Sequence, residues 1–298
     1  MARIIHHLER SFNAYRKFFP IIIAAVLIAA IPPLIITGFG FLVASNFSVS
    51  GAESLAKETY FSENSNLWQE SALPSPLESI GFMAFVLVAV LLSFYLLAGT
   101  YQVCLGAIKG KTSLSLFFDS INARGFSLVA SKILLGLVFG GILMATILVG
   151  IILAVIIGLA SSGANGDMIS ILFVILAVVL MISVAPFFTL ISPSVVSGKS
   201  VVEAFRESFK IGRKNYLEVL LLLMVMVVFE IVAYAVEILS PILGVIVALL
   251  FVSPMIALLI SSFYLENSAA RKTNQDIGAN SKTKKAVVAK KIKMRKSK

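Results

Sequence analysis

One cysteine, two histidines and one tryptophan occur among 298 residues, and only 13% of the chain is charged. A lone Cys104 excludes an intrachain disulfide. His6 and His7 are neighbours, and neither Cys-x-x-Cys nor Gly-x-Ser-x-Gly occurs. The spacings for a zinc site or a nucleophile elbow are therefore missing. No catalytic residue, metal ligand or cofactor is expected, and a non-enzymatic protein is the reading. The shortage of charge decides the solvent. Soluble domains carry roughly 25% charged residues. Here 59% of the chain is hydrophobic and the mean hydropathy is +0.99, too little polar surface to cover a soluble core.

Apolar stretches near 20–44, 80–105, 128–158, 168–195, 216–238 and 241–264 are each long enough to cross a hydrocarbon layer of about 30 Å as helix. The expected fold is all-α, an integral membrane bundle of six transmembrane helices. Of the 25 Lys and Arg residues, 24 fall beside the same ends of these spans, and only Lys57 lies among the acids of the first outer loop, 46–79. That bias predicts a multi-pass protein of the cell membrane with both termini cytoplasmic. The net charge of +10 resides in residues 267–298, which hold eleven Lys/Arg and Asp276; the remaining 14 basic and 14 acidic residues cancel. Low hydrophobicity and high charge predict a disordered cytoplasmic tail there.

Residues 110–120, GKTSLSLFFDS, and 198–208, GKSVVEAFRES, align at an offset of 88, with Gly, Lys, Phe and Ser coinciding. Ser11-Phe12 followed by Arg16-Lys17 matches Ser208-Phe209 followed by Arg213-Lys214. The unit is a short amphipathic helix followed by a two-span hairpin, repeated over 1–108, 109–196 and 197–266. In the third copy, Val201, Val202, Phe205, Ser208, Phe209 and Gly212 form the expected apolar side. Glu203, Arg206, Glu207, Lys210, Arg213 and Lys214 form the polar stripe. Ser200-x-x-Glu203 is a capping-box pattern. Such a helix lies in the headgroup layer or packs on the bundle. Lys199, Arg206, Lys210, Arg213 and Lys214 are the candidate contacts to anionic lipid headgroups.

The Gly-Lys-Thr and Gly-Lys-Ser triplets lack the earlier glycine of a phosphate loop, whose places hold Leu105 and Pro193, and follow a membrane span instead of a strand, so nucleotide binding is not expected. Gly110 and Gly198 instead let the chain leave a span. Glu230 and Glu237, with Tyr234 between them on one face of span five, are the candidate intramembrane polar site. An acid at mid-membrane costs about 2.5–3.5 kcal/mol and defaults to a functional reading. Its bland alternative is a protonated acid hydrogen-bonded to a neighbouring hydroxyl. Pro32, Pro33, Pro186 and Pro254 should kink their spans, and Gly136-x-x-x-Gly140 marks a close helix contact within or between chains. The basic tail favours lipid contact over ribosome or nucleic-acid contact.

Residues 197–219, SGKSVVEAFRESFKIGRKNYLEV, resemble a signature of a broad group of polytopic proteins. Pro193, Ser200, Glu203, Ala204, Phe205, Arg206, Ser208, Arg213 and Asn215 fill its places. The group includes the membrane domain of glycerophosphoryl diester phosphodiesterases and stand-alone bacterial and archaeal proteins. The resemblance implies a six-span helical membrane domain. It carries no activity across, because this chain has no room for the soluble phosphodiesterase barrel. The function expected is membrane, envelope or lipid homeostasis, or a scaffold, with the bilayer and anionic headgroups as partners and either a homo-oligomer or another membrane protein as assembly. The alternative is a transporter or channel for an ion or small solute using Glu230.

Overall fold

The computed structural model describes the backbone of residues 2–58, 76–160 and 166–269, and the side chains of 3–36, 80–152 and 174–269. Most of the tail and the middle of the expected outer loop lie outside the described residues. Every regular element among them is helical: α1 (Ala2–Glu58), α2 (Pro76–Ile108), α3 (Leu114–Ala160), α4 (Gly166–Val184), α5 (Ile191–Val196), α6 (Val201–Lys214), α7 (Tyr216–Leu239), α8 (Pro241–Val247) and a last helix, α9, over 253–269. A 3₁₀ turn, Ala185–Phe187, joins α4 towards α5, and a π turn, Ala248–Val252, joins α8 to α9. Six helical stretches are long and apolar enough to cross a membrane: Arg3–Ile36, Ile80–Ile108, Leu114–Ile152, Val174–Val196, Tyr216–Leu239 and Pro241–Ala269. The six expected spans fall on these stretches.

Several boundaries differ from the sequence reading for local reasons. The first helix runs on to Glu58, into the expected outer loop. The segment 46–58 contains no proline and one glycine, so nothing in it stops a helix that has already nucleated. The expected surface helix of the second repeat is not separate, because α3 continues unbroken for 47 residues. A break does occur at Phe18 (φ −115°, ψ 22°), before Pro20, and again at Asn215 (φ −119°, ψ 38°), between α6 and α7. Pro186 interrupts span four outright, turning it through the 3₁₀ segment into the short α5. Proline removes a backbone donor and clashes with the preceding turn, which accounts for that break. Pro254 sits just after the π turn of span six, where the backbone is already rearranged.

The core lies towards one end of the bundle. Every residue of 257–264 in α9 is buried, with Leu258, Leu259, Phe263 and Tyr264 at its centre. Around this strut pack Ile22 and Ala25 of α1, Val103 and Cys104 of α2, Phe117 and Leu128 of α3, Leu190 and Ile191 near α5, and Leu222 of α7. Close approach depends on small residues. A Cβ added to Gly99 would lie 2.3 Å from the Phe117 ring, and one added to Gly125 would lie 2.3 Å from Tyr95. In the other half, side chains such as Met83, Leu137, Val174, Ile231 and Ile242 are exposed and available to lipid.

The basic connections meet at the cored end. Arg3 donates to Glu218 at 3.1 Å, His7 meets Glu266 at 3.4 Å, and Asn215 donates to Asn267 at 2.6 Å. Two turns, 105–111 and 193–199, share one hydrogen-bond pattern. The amide of Lys111 donates to the Gly106 carbonyl (3.0 Å) and that of Lys199 to the Ser194 carbonyl (3.4 Å). Gly110 (φ +78°) and Gly198 (φ +107°) provide the left-handed residue each turn needs.

Candidate functional site

The amphipathic α6 is held by its start and by its small side. Ser200 accepts from the Glu203 amide at 3.4 Å, and the Glu203 carboxylate accepts from the Ser200 amide at 3.1 Å. That reciprocal cap satisfies two otherwise free donors. The Ser200 backbone and then its hydroxyl hold the Glu203 carboxyl below the ordinary carboxylate range. The side facing the bundle consists of Ala204, Glu207, Ser208, Ile211 and Gly212, all buried. Ser208 receives the Leu190 amide (3.1 Å) and donates to the Phe187 carbonyl (2.8 Å), so one hydroxyl satisfies two groups freed by the break at Pro186. A Cβ on Gly212 would lie 2.5 Å from the Pro186 carbonyl oxygen, so only glycine fits that contact undistorted.

Because the small residues face the bundle, the large apolar ones do not. Val202 and Phe209 are exposed and Phe205 is half-buried. Of the expected apolar side of α6, Ser208 and Gly212 face the bundle while Val202 and Phe209 stand exposed, and Glu207 leaves the expected polar stripe to be buried. Phe205 and Phe209, with Phe188 from the broken end of span four, line a cleft of about 720 Å³ whose remaining lining is Arg206, Lys210, Arg213 and Lys214. Phe209 stacks on Phe187 with centroids 5.0 Å apart, and Phe205 lies 5.9 Å from Phe188. None of the four cations is held in a salt bridge among the described residues. Positive charge outside any described salt bridge, beside phenyl rings, suits a ligand with an anionic head and an apolar body. Guanidinium groups add planar, forked recognition of phosphate oxygens.

A buried polar hub stands behind the cleft. The Glu207 carboxylate accepts from Ser194 at 2.6 Å and from Tyr264 at 3.3 Å, and pairs with the Lys199 ammonium. The hydroxyls of Ser197 and Tyr264 are 2.7 Å apart, and the Lys199 ammonium lies 5.8 Å from the centre of the Tyr264 ring. Span four, α6 and α9 are thereby tied by one carboxylate.

A family profile matches residues 20–269, which include every span but the first residues of α1; its description reads "Domain of unknown function (DUF7847)". The chain belongs to this DUF7847 family. Neither the curated proteins nor the solved structures contain a match to it.

In this DUF7847 protein the candidate residues divide into three groups. Arg206, Lys210, Arg213 and Lys214 come together in the cleft. Lys199 does not join them, because its ammonium is taken by Glu207. Glu230, Tyr234 and Glu237 are exposed on α7; Glu230 and Glu237 flank the buried Ala233, Glu237 packs its backbone against Gly244 of α8, and Glu230 has no hydrogen-bond or ion-pair partner among the described residues. Among the described residues Gly136 and Gly140 make no close contact: an added Cβ at either would meet nothing within 4 Å. No cluster of three or more potential metal ligands occurs among the described residues.

The sequence reading missed the cleft's aromatic lining and two buried groups, Glu207 and His7. Phe188 was hidden inside a span, and only the break at Pro186 brings it beside α6. His7 is 1% exposed and bonds Ser262 at 3.0 Å, a partner 255 residues away that no local pattern could announce.

Proposed function

We propose that this protein spans the cell membrane with both termini in the cytoplasm and holds anionic phospholipid headgroups at the α6 cleft. Its role is in membrane, envelope or lipid homeostasis or as a scaffold, without catalysis. The observation that carries this reading is the cleft itself: four cations outside any described salt bridge beside three phenylalanines. Each basic residue near an anionic surface contributes roughly 1 kcal/mol at moderate salt. The phenyl rings supply apolar contact for glycerol and the first acyl carbons. The basic tail adds the same attraction without a fixed site. The orientation rests on the charge bias, because cytoplasmic connections carry the excess of Lys and Arg.

A threefold repeat underlies this design in our reading. Three observations support it: the matching turns at Gly110 and Gly198, the buried serines at equivalent positions (Ser11, Ser120 and Ser208), and the matching breaks at Phe18 and Asn215. Kinship with the phosphodiesterase membrane domains rests on the α6 motif, most of whose residues have structural tasks here. Ser200 and Glu203 cap, Ala204 and Ser208 pack, and Asn215 ends the helix. That division of labour explains why the motif transfers an architecture and no reaction. The transport alternative would route a path past Glu230, which is exposed and lines no cleft among the described residues, so it gains no support from this chain's geometry.

Native mass spectrometry from mixed phosphatidylglycerol and phosphatidylcholine micelles tests the lipid reading. The variant Arg206→Gln/Lys210→Gln/Arg213→Gln/Lys214→Gln should lose retained phosphatidylglycerol while unfolding like the parent. Equal retention by both proteins would sink the cleft as the binding site.

A further inference from the structure

A second cleft, of about 500 Å³, lies between the N-terminal part of α1 and the turn that ends span two. Along α1, Glu9, Arg10, Asn13 and Lys17 line it at spacings of three and four residues, which puts them on one side of the helix. Ile108 and Gly110 belong to the opposite wall, whereas Lys109 and Lys111 of the same turn are outside the lining. None of Glu9, Arg10 and Lys17 is held in a salt bridge among the described residues. The Lys17 ammonium lies 5.2 Å from the centre of the Phe18 ring. Because α2 ends at Ile108, the negative end of its dipole stands at this cleft. One cleft therefore offers an acid and a helix C-terminus to a cation, and two bases and an amide to an anion.

The sequence explains why this cleft differs from that of α6. Ser11, Phe12, Arg16 and Lys17 recur as Ser208, Phe209, Arg213 and Lys214 at an offset of 197. At the same offset, Glu9 stands where α6 has Arg206, and Asn13 where it has Lys210. Four cations become an acid, an amide and two cations. An anionic headgroup has no use for Glu9, which repels its phosphate; a zwitterionic one does. We propose that the α1 cleft is a second headgroup site, whose ligand joins a phosphate to a primary ammonium, as in phosphatidylethanolamine. Arg10 and Lys17 hold the phosphate, with the Asn13 amide donating between them. The ammonium donates to Glu9 in a charge-assisted bond. A choline headgroup carries the same charges but no N–H to donate, so it is rejected. The assignment rests on the reading of the α6 cleft only in placing these helices at the headgroup layer; its ligand and residues are separate.

Native mass spectrometry of the full-length protein, released from micelles of equimolar phosphatidylethanolamine, phosphatidylglycerol and phosphatidylcholine, tests it. The parent should retain phosphatidylethanolamine over phosphatidylcholine. Glu9→Gln should lower that preference about tenfold, the lower end of what a hydrogen bond to a charged group contributes. Glu9→Arg/Asn13→Lys, which copies the α6 charges onto α1, should exchange the ethanolamine lipid for a further phosphatidylglycerol. Glu9 and Asn13 are exposed, so neither change disturbs packing. Equal retention of the two zwitterionic lipids by the parent, or an unchanged preference in Glu9→Gln, would overturn the amine site. A double variant that gains no phosphatidylglycerol would overturn the place of the phosphate. The four-glutamine variant of α6 separates the two readings: it should lose phosphatidylglycerol and keep phosphatidylethanolamine. Unchanged phosphatidylglycerol there counts against the α6 cleft alone, while loss of phosphatidylethanolamine would put the amine lipid at α6 and overturn the second site.

Discussion

Lys199 and Glu207 form a pair whose removal should be strongly asymmetric. Glu207 is 6% exposed, and the Lys199 side chain is 36% exposed. Replacing Lys199 by Met preserves the stem but leaves a buried carboxylate without its cation. Breaking a buried pair this way costs about 3–5 kcal/mol, and the partial exposure of the ammonium puts the expected loss at the lower end, about 3 kcal/mol. A further contribution, about 0.5–1 kcal/mol at exposed sites, comes from the ammonium over the Tyr264 ring. Glu207→Gln should cost less, about 1–2 kcal/mol. The amide oxygen still accepts from Ser194 or Tyr264, and the released lysine can reach solvent. The double variant, Lys199→Met/Glu207→Gln, leaves no buried charge and should be more stable than Lys199→Met alone. Unfolding by SDS in mixed micelles, followed by circular dichroism, provides all four corners of the cycle. The hub reading fails if Lys199→Met is as mild as Lys210→Met, within about 0.5 kcal/mol, or if the two single losses simply add.

Gly212→Ala should destabilise by about 1–3 kcal/mol, because its Cβ meets the Pro186 carbonyl; Gly136→Ala, with nothing within 4 Å, should be neutral, and thermal unfolding in detergent compares them. Ser200→Ala removes the cap of α6 and should cost about 1 kcal/mol in the same assay. The Glu203 carboxyl is held below its ordinary range, so its contribution is complete above the unfolded-state value and disappears as pH falls through the lowered one. Glu203→Gln should therefore flatten the acid limb of an unfolding curve taken from about pH 6 to pH 3, and an unchanged limb would remove the cap from acid sensitivity. Tyr264→Phe deletes contacts to Ser197 and Glu207 and should cost about 1–2 kcal/mol by SDS unfolding.

The spans were legible because bilayer crossing depends on a run of apolar residues and little else. Helix continuity was less so. α3 runs on through Gly125, which packs against Tyr95 of another span, a contact no local pattern shows, and whether span four breaks depends on how its neighbours receive the groups freed by Pro186. Whether the apolar side of α6 meets the headgroup layer or the bundle was open in the sequence, because its large and small residues can part company. Next to a neighbouring backbone the buried side is the small one, here Ala204, Ser208 and Gly212. Polar burial was least legible. Glu207 looks like any charged residue of an exposed stripe until Tyr264, 57 residues later, arrives beside it. The four cations of the cleft were readable in the sequence, since a basic stripe at helical spacing needs no tertiary information. Their aromatic companion from span four was not.

The hub and the cleft are connected through α6 in a way that ties binding to architecture. Glu207 follows Arg206 and lies one turn before Lys210, but it points inward while they point outward. The inward contacts therefore determine which way the cations face. With Gly212 seated on Pro186 and Ser208 bonded to the backbone around the break, rotation of α6 about its axis would lose several buried hydrogen bonds at once. The proline break in span four thus does two things: it delivers Phe188 to the cleft and creates the unsatisfied backbone groups that hold α6 in orientation. A substitution that heals the break, Pro186→Ala, should straighten span four and deprive Ser208 of its partners. Retained anionic lipid should fall although every cation is still present. Lipid retention equal to the parent's, with circular dichroism unchanged, would mean that the orientation of α6 is set by the Glu207 hub alone.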